Sequence, residues 1–309
     1  MKFPSIEKYI NKEDLLITSN EHSREQQHIP DLMREYGGGT LAGLKSRKHT
    51  LHRMVGCLYE ARKSASSIDK NPKMANKVIS DADLSELEKY AKALGVSDIG
   101  YTKVDQRHIF KRERILYENA IVITMEMKKD KIKKAPSKEA VTEIFRTYYQ
   151  LGVTVNKISD FLRKHGYKAM AGPAIGGAVS YVPLAMDAGL GVIGKHGLLI
   201  SDKNYGPSLR IAAVYTDIEN LPITKENPHM WVKEFCNKCN KCLKSCPAGA
   251  IYKESIRVPE DPEGYRCVDV TKCATPFANN YGCTVCIKSC TFFNNDYEKI
   301  KQSHLKNLK

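Results

Sequence analysis

The sequence predicts an α/β (α+β) fold in which a small cysteine-rich module follows a larger core. Between residues 96 and 217, short β-rich runs alternate with one long amphipathic helix, and a succession of strand, helix and strand is typical of such a core. The end of the chain differs, because nine of its ten cysteines lie from Cys236 to Cys290. A chain of 309 residues is long enough for one sizeable core, or two modest ones, ahead of this module.

The beginning of the chain is predicted to be mostly helical and charged. Its clearest helix begins at Asp81, where acidic side chains occupy the first turn, runs to Leu94 and stops at Gly95. Further along, the run KKDKIKK at Lys128–Lys134 is expected to be a solvated loop that follows a strand. We therefore predict a helical N-terminal region over residues 1–95.

The core is predicted from one long helix and several strands. The helix spans about Ser137 to Lys164 and carries apolar side chains at helical spacing. Runs rich in β-branched and apolar residues are predicted as strands at Val96–Val104, Ala120–Met127, Tyr167–Ala171, Gly197–Ser201 and Leu209–Asp217. Asn227-Pro228 marks a linker, so the predicted core covers residues 96–230 and the cysteine-rich module covers residues 231–309.

The cysteines follow the spacing of bacterial ferredoxins. The module opens as CNKCNKCLKSCP, a run in which three thiolates bind one iron–sulfur cluster and the fourth reaches another. Four later cysteines complete a set of eight, which suits two 4Fe–4S clusters. The ferredoxin pairing assigns Cys236, Cys239, Cys242 and Cys290 to one cluster, and Cys246, Cys273, Cys283 and Cys286 to the other. The module is therefore predicted to transfer electrons.

Other uses of the cysteines agree less well with this spacing. Two zinc sites would also take eight thiolates, but four cysteines within eleven residues crowd a single tetrahedral ion. A disulfide framework needs an oxidising compartment, of which the sequence gives no sign. Cys267 stays open as a competitor of Cys273 for the eighth ligand position, and Cys57 is interpreted as an ordinary buried or free thiol.

Residues 172–197 are rich in glycine. Seven glycines and two prolines in this segment imply tight turns, or close approach of the backbone to something bulky. A compact loop–helix–loop packed on the core and a loop that cradles a cofactor explain this composition equally well. The spacing is not GxGxxG after a strand, so a dinucleotide site is not supported.

The composition points to the cytoplasm. The longest apolar stretches fall far short of a membrane span, and the first residues show neither a twin-arginine pair nor an apolar signal segment. Thiolate-bound clusters also favour a reducing compartment. The net charge of +14 is spread along the chain, which favours docking of an acidic electron donor at least as well as a nucleic-acid surface.

A longer stretch of sequence resembles a known family. From Tyr181 to Asp217 the chain reads YVPLAMDAGLGVIGKHGLLISDKNYGPSLRIAAVYTD, and the cysteine run follows. This combination resembles the reductive dehalogenases and the related epoxyqueuosine reductases, with YGPSLR closer to the dehalogenases, over roughly residues 120–293. The resemblance implies a nitroreductase-like core that holds a base-off cobalamin, a corrinoid whose cobalt the nearer cluster reduces.

The resemblance also implies site residues. Tyr149, in FRTYYQL, falls where dehalogenases place a proton-donating tyrosine, and Tyr148 is its immediate rival. Tyr148 fits the apolar stripe of the long helix, so Tyr149 is the expected donor. Lys195 closes GLGVIGK as the basic partner, whose ammonium would stabilise the phenolate left after proton transfer. Cofactor contacts are expected from Gly189, Gly191, Gly194, His196 and Tyr205.

The predicted function is that of a cobalamin-dependent iron–sulfur reductase of a small organic substrate, supplied with electrons by a ferredoxin or flavodoxin. Two alternatives stay open: an epoxyqueuosine-reductase-like enzyme that acts on tRNA, and an electron-transfer protein that reduces a partner's corrinoid. FRTYYQL lacks the acidic residue that epoxyqueuosine reductases commonly place there, which counts against the first alternative. Thr291 follows the last cysteine where relatives often have proline, a departure that removes no ligand.

Overall fold

The computed structural model describes residues 6–10, 15–27, 29–36, 48–258 and 261–306. Within these ranges the strands are β1 Ile17–Thr18, β2 Asp98–Lys103, β3 Arg114–Ile115, β4 Asn119–Glu126, β5 Met170–Ala171, β6 Val192–Ile193, β7 Leu199–Ile200, β8 Leu209–Thr216, β9 Ile251–Val258 and β10 Asp261–Val268. The helices are α1 Ile29–Tyr36, α2 Leu51–Ser66, α3 Asp81–Ala93, α4 Lys129–Ile132, α5 Lys138–Lys164, α6 Tyr181–Asp187, α7 Trp231–Cys239, α8 Lys241–Ser245, α9 Val270–Asn279, α10 Val285–Lys288, α11 Thr291–Asn294 and α12 Tyr297–Lys306.

A four-stranded antiparallel sheet in the order β2-β4-β8-β5 is the centre of the core. Its two middle strands are buried along almost their whole length, which agrees with their runs of apolar residues. They pair from Asn119 opposite Thr216 to Glu126 opposite Leu209. Side chains of α3 and α5 cover one face of the sheet, and α6 packs on the other, so the sheet lies between helical layers.

Helices α2 and α5 lie close together because two glycines leave room between them. A Cβ atom at Gly152 of α5 would lie 3.2 Å from the Cβ of Glu60, and one at Gly56 of α2 would lie 2.7 Å from the ring of Tyr149. Buried Asn156 donates its amide to Glu60 Oε2 at 2.8 Å and to the Glu60 carbonyl at 3.0 Å. These contacts fix the rotation of α5 about its axis and thereby the direction of its aromatic side chains.

The cysteine-rich module consists of the short helices α7 to α12 and the hairpin β9–β10. Aromatic side chains hold α7 against α11 and α12: the Phe235 and Phe292 ring centroids are 5.1 Å apart, and those of Trp231 and Tyr297 are 5.2 Å apart. The core meets the module at Gly206, which has φ of +53°. A Cβ atom there would lie 2.7 Å from the backbone of Phe292, so only glycine allows this close approach.

A Gly206→Ala variant is therefore expected to destabilise the protein by about 2–5 kcal/mol. About 1–2 kcal/mol comes from forcing an L-residue into the left-handed region, and the rest from overlap with the Phe292 backbone. Gly249 is the matched control, because its φ is +58° but a Cβ atom there would meet nothing within 4 Å. The measurement is the urea midpoint of each anaerobic holoprotein. Equal midpoints for the two variants would contradict the close approach.

The predicted fold class is confirmed as a mixed helix-and-sheet structure, and its sheet is antiparallel. The helix predicted from Asp81 is α3, and the long predicted helix is α5. One expectation is wrong: Lys128–Lys134 is not simply a solvated loop, because it contains α4, whose Ile132 is fully buried.

The division of the chain into residues 1–95, 96–230 and 231–309 stays a prediction. Among the described residues, no helix combines the length and the apolar character that crossing a membrane requires. The longest of these helices, α5, carries charged side chains along its length and packs on the sheet.

Candidate functional site

A cavity of about 1890 Å³ lies between the core and the cysteine-rich module. Its walls come from two stretches of the glycine-rich segment (174–176 and 193–198), from α5 and β8, and from α7, α9 and α10 with the hairpin β9–β10. Pockets for small ligands usually enclose about 300–1,000 Å³. The cavity is therefore large enough for a bulky cofactor together with a second molecule.

Four of the predicted cluster ligands surround a small void next to this cavity; we call them the first thiol group. The junction between α7 and α8 is Asn240, whose left-handed backbone has φ of +55°, a conformation that asparagine tolerates. The bend there brings together cysteines from both helices, and the residue before α11 completes the group. Its members are Cys236, Cys239, Cys242 and Cys290.

The other four predicted ligands line the large cavity and form the second thiol group, Cys246, Cys273, Cys283 and Cys286. Burial, and then the charges of Cys283 and Cys246, raise the pKa of Cys273 to about 11. Burial, and then the charges of Cys283 and Cys273, raise the pKa of Cys286 to about 12. Helices α8 and α10, which carry Cys242 and Cys286, pack against each other, so the two thiol groups are neighbours.

The spacing of the sulfurs suits clusters better than single ions. Among the residues that the structure describes, no three cysteine sulfurs lie within 4.8 Å of one another. Around a tetrahedral zinc ion, sulfurs would be only about 3.8 Å apart, since Zn–S bonds are about 2.3 Å long. A cubane distributes its ligands over four irons and so separates the sulfurs more widely. The donor set therefore suits a 4Fe–4S cluster in each group better than a single zinc ion.

Burial also raises the pKa of several thiols of the first group. Burial raises the pKa of Cys236 to about 11, although the Lys195 backbone N–H donates to its sulfur and lowers the pKa. Burial likewise raises the pKa of Cys290. Because a metal ligand must be a thiolate, assembly of a cluster in these groups would release protons.

The two remaining cysteines lie outside the thiol groups. The Sγ atom of Cys267 lies 3.7 Å from Ser255 Oγ, and its Cβ lies against Gly197, where it lines the large cavity. The thiol charges that raise the pKa of Cys273 are those of Cys283 and Cys246, not that of Cys267. Cys57 is a buried thiol on α2, as interpreted from the sequence, and burial raises its pKa to about 12.

The two tyrosines of FRTYYQL point in different directions. Tyr148 is half-buried and lines the large cavity, whereas Tyr149 packs its ring against Gly56 of α2 and is 38% exposed. Tyr148 is therefore the member of this pair that faces the cavity, although it also packs against the core, and the choice of Tyr149 as the proton donor stays a prediction. The close contact of α2 with α5 sets this rotation, and the apolar stripe of a single helix could not reveal it.

Arg210 is the cationic partner of Tyr148 in the cavity. Its guanidinium carbon lies over the tyrosine ring, 4.6 Å from the centroid, which is the geometry of a cation–π interaction. Arg210 interrupts the buried strand β8, where its neighbours are apolar, and the Arg210 Nε has no hydrogen-bond partner among the described residues. Sequence reasoning missed Arg210, although a charged residue within LRIAAVYTD was the signal that could have found it.

Lys195 lies at the boundary between core and module rather than beside a tyrosine. Its ammonium donates to three oxygens: Asn240 Oδ1 at 2.7 Å, the Lys253 carbonyl at 3.0 Å and the Asn237 carbonyl at 3.3 Å. These contacts hold the glycine-rich segment against α7 and the hairpin β9–β10. Lys195 lines the cavity, but Arg210 is the cation that contacts the tyrosine ring.

His196 is buried and neutral. Burial lowers its pKa to about 4, and the Leu198 backbone N–H donates to its Nδ1 at 3.2 Å. It lines both the large cavity and the void of the first thiol group. His196 was predicted from the sequence as a contact of the corrinoid. In the structure it also lies next to the first thiol group, which is predicted to hold a 4Fe–4S cluster.

Of the remaining predicted cofactor contacts, the structure brings only Gly194 to the cavity. Gly189 lies against Thr224, and Gly191, with φ of +145°, approaches the backbone of Ile200 in the hairpin β6–β7. Tyr205 is buried in the core. The described cavity does not reach these three residues, and tight packing accounts for both glycines, so a cofactor contact at any of them stays a prediction.

A second polar pair lines the cavity and escaped sequence reasoning. His108 Nε2 lies 2.8 Å from Asp187 Oδ2, and both side chains line the cavity wall. The two residues are 79 positions apart, so no local pattern could have paired them.

Comparisons with known proteins agree with this geometry. A family model described as a 4Fe-4S binding domain matches residues 229–252, which include the first four cysteines of the module. A tetrachloroethene reductive dehalogenase of Desulfitobacterium hafniense is 36% identical over 187 residues, which cover 57% of this chain and 33% of that protein. An epoxyqueuosine reductase of Aliivibrio fischeri is 35% identical over 107 residues, covering 35% of this chain and 26% of that protein. The predicted resemblance is confirmed.

A solved structure extends the likeness in fold to nearly the whole chain. The catabolic reductive dehalogenase NpRdhA aligns with 97% of this chain and 47% of its own, with a TM-score of 0.70 and 17% identity. This likeness shows a shared fold. The chain spans about a third of the length of the dehalogenases that it matches in sequence, and about half of NpRdhA.

Proposed function

We propose that the chain is a corrinoid-dependent iron–sulfur reductase in which two 4Fe–4S clusters deliver electrons to a base-off cobalamin in the large cavity. A small organic molecule is the substrate, and a reduced ferredoxin or flavodoxin is the donor. One observation carries the proposal. The second thiol group and Cys236 line the same cavity as Tyr148, whose ring lies under the Arg210 guanidinium.

The eight thiols of the two groups would hold the clusters. Each group offers four sulfurs that are not crowded as around a single ion, and the two groups lie side by side. The second group lies in the cavity wall itself, so that a cluster there is separated from a cavity ligand by little protein. This layout favours electron transfer between the module and the cavity over a purely structural role for the metal.

The glycine-rich segment would hold the corrinoid. Residues 174–176 and 193–198 bring backbone and small side chains to the cavity wall, as a large flat ligand requires. When bound and reduced, a corrinoid supplies electrons to an organic substrate. The volume of about 1890 Å³ leaves room for that substrate beside the macrocycle.

Tyr148 would supply the proton that reduction of the substrate requires. Its phenol O–H is a donor in the cavity, and the Arg210 guanidinium 4.6 Å from the ring centroid places a fixed positive charge beside it. A cation next to a phenol stabilises the phenolate that remains after proton transfer. Arg210 thus takes the role that the sequence reasoning gave to Lys195.

A small organic substrate is favoured over tRNA because the dehalogenase match covers 57% of the chain, against 35% for the epoxyqueuosine reductase match. A protein that only passes electrons to a partner would not need Tyr148 and Arg210 in a cavity of this size. A reducing compartment, the cytoplasm, suits eight metal-binding thiols.

The proposal is tested by anaerobic reconstitution with iron, sulfide and cobalamin. We expect about eight irons per chain, as two 4Fe–4S clusters require, and retention of about one corrinoid through gel filtration. Turnover is then assayed on a panel of organohalides with reduced methyl viologen as the donor. Eight irons without corrinoid affinity would overturn the proposal and leave the electron-transfer alternative. Strong salt-dependent binding of tRNA would instead favour the epoxyqueuosine-reductase alternative.

A further inference from the structure

Two polar side chains that are not cysteines, those of His196 and Thr291, lie beside the first thiol group. His196 is 4% exposed, and because the Leu198 N–H donates to its Nδ1, the ring proton is on Nε2. Within the described part of the chain, Nε2 has no hydrogen-bond partner. A buried N–H without an acceptor is costly, so a group outside the described residues is expected to accept from it.

The position of His196 indicates where this acceptor lies. The residue lines the large cavity and also the void that the first thiol group encloses. Nε2 is buried, and it belongs to a residue that lines the void beside the four thiols. We therefore take this void as the place of its acceptor.

Thr291 is the second side chain. Its Oγ1 lies 3.1 Å from Cys239 Sγ, and with Cys239 as a thiolate the hydroxyl is the donor. The second thiol group differs: the Ala250 backbone N–H donates to Cys246 Sγ at 3.3 Å, and no side-chain donor reaches this group from the ranges that the structure describes. The two groups are thus unlike in their hydrogen bonds.

We propose that His196 and Thr291 donate hydrogen bonds to the cluster of the first thiol group and raise its reduction potential, leaving the other cluster unaffected. The inference rests on the proposed function only in requiring that both groups hold 4Fe–4S clusters. When the donor protein delivers one electron, the negative charge on the cluster and its sulfurs increases. An N–H or O–H donor stabilises this reduced form more than the oxidised form, which raises the potential.

Potentiometric titration of the holoprotein, followed by electron paramagnetic resonance, tests the proposal. His196→Phe is expected to lower the equilibrium constant for one-electron reduction of one cluster about tenfold. This corresponds to a reduction potential that is lower by about 59 mV. Thr291→Val should shift the same cluster in the same direction. His196→Gln, whose amide N–H can donate, should restore most of the shift. His304→Phe is the matched control, because His304 is also a buried histidine of the region but lines neither thiol group.

The outcomes separate this inference from the proposed function. Eight irons with unmoved potentials in His196→Phe and Thr291→Val would overturn the inference alone. Wild-type protein without iron would overturn the proposed function and the inference with it. If His196→Phe does not assemble its clusters, pulsed electron paramagnetic resonance of reduced wild-type protein with ¹⁵N-histidine decides: coupling of histidine nitrogen to a cluster supports the hydrogen bond, and its absence overturns it.

Discussion

A Tyr148→Phe variant is expected to lose turnover by about 10²–10⁴-fold, the usual contribution of a positioned proton donor. Phenylalanine keeps the ring under the Arg210 guanidinium, so the packing of the cavity wall should not change. Iron and corrinoid contents should equal those of the wild type, because Tyr148 lies outside both thiol groups. The measurement is the steady-state rate on an organohalide, together with metal and corrinoid analysis of the same sample.

Tyr149→Phe is the matched control for this prediction. It removes a hydroxyl from the adjacent residue of the same helix, but the ring packs on Gly56 and lies outside the described cavity wall. Turnover should stay within about twofold of the wild type, since surface changes of this kind rarely matter. Loss of turnover in Tyr149→Phe with normal turnover in Tyr148→Phe would reverse the assignment and restore the expectation drawn from the sequence.

The difference between these two tyrosines shows which part of the site local sequence can predict. Thiol spacing is read directly along the chain, so the ferredoxin pattern alone can predict a pairing of the eight cysteines. The rotation of α5 depends instead on Gly56 and Glu60, which come from a helix about 90 residues earlier, through Tyr149 and Asn156. The residue pattern of a single helix cannot predict such a contact with another helix.

The role of a glycine is hard to predict from sequence for a related physical reason. A glycine is needed wherever backbone approaches closely, whether the neighbour is a cofactor or the chain itself. Gly191 approaches the backbone of Ile200, and Gly206, in the YGPSLR run, approaches that of Phe292. Only the fold tells these cases from Gly194, which does line the cavity. Composition alone could therefore predict tight packing in residues 172–197, but not which positions face a ligand.

Replacing Cys273 by Ala is expected to remove one cluster and leave the other. The variant should retain about four of eight irons, because Cys273 supplies one of four sulfurs of the second thiol group. Electron transfer into the large cavity should then fail, since this group lies in the cavity wall. Iron analysis and electron paramagnetic resonance of the reduced protein measure the loss, and turnover should become undetectable.

Cys267→Ala is the control that distinguishes the two candidates for the eighth ligand. Cys267 lies against Gly197 and near Ser255 rather than with Cys246 and Cys283, so this variant should retain about eight irons. The two variants change the cavity in the same way, because both cysteines line it and each substitution removes one thiol from its wall. If Cys267→Ala retained four irons and Cys273→Ala retained eight, Cys267 would be the eighth ligand instead of Cys273. The hairpin β9–β10 would then have to move toward the second thiol group.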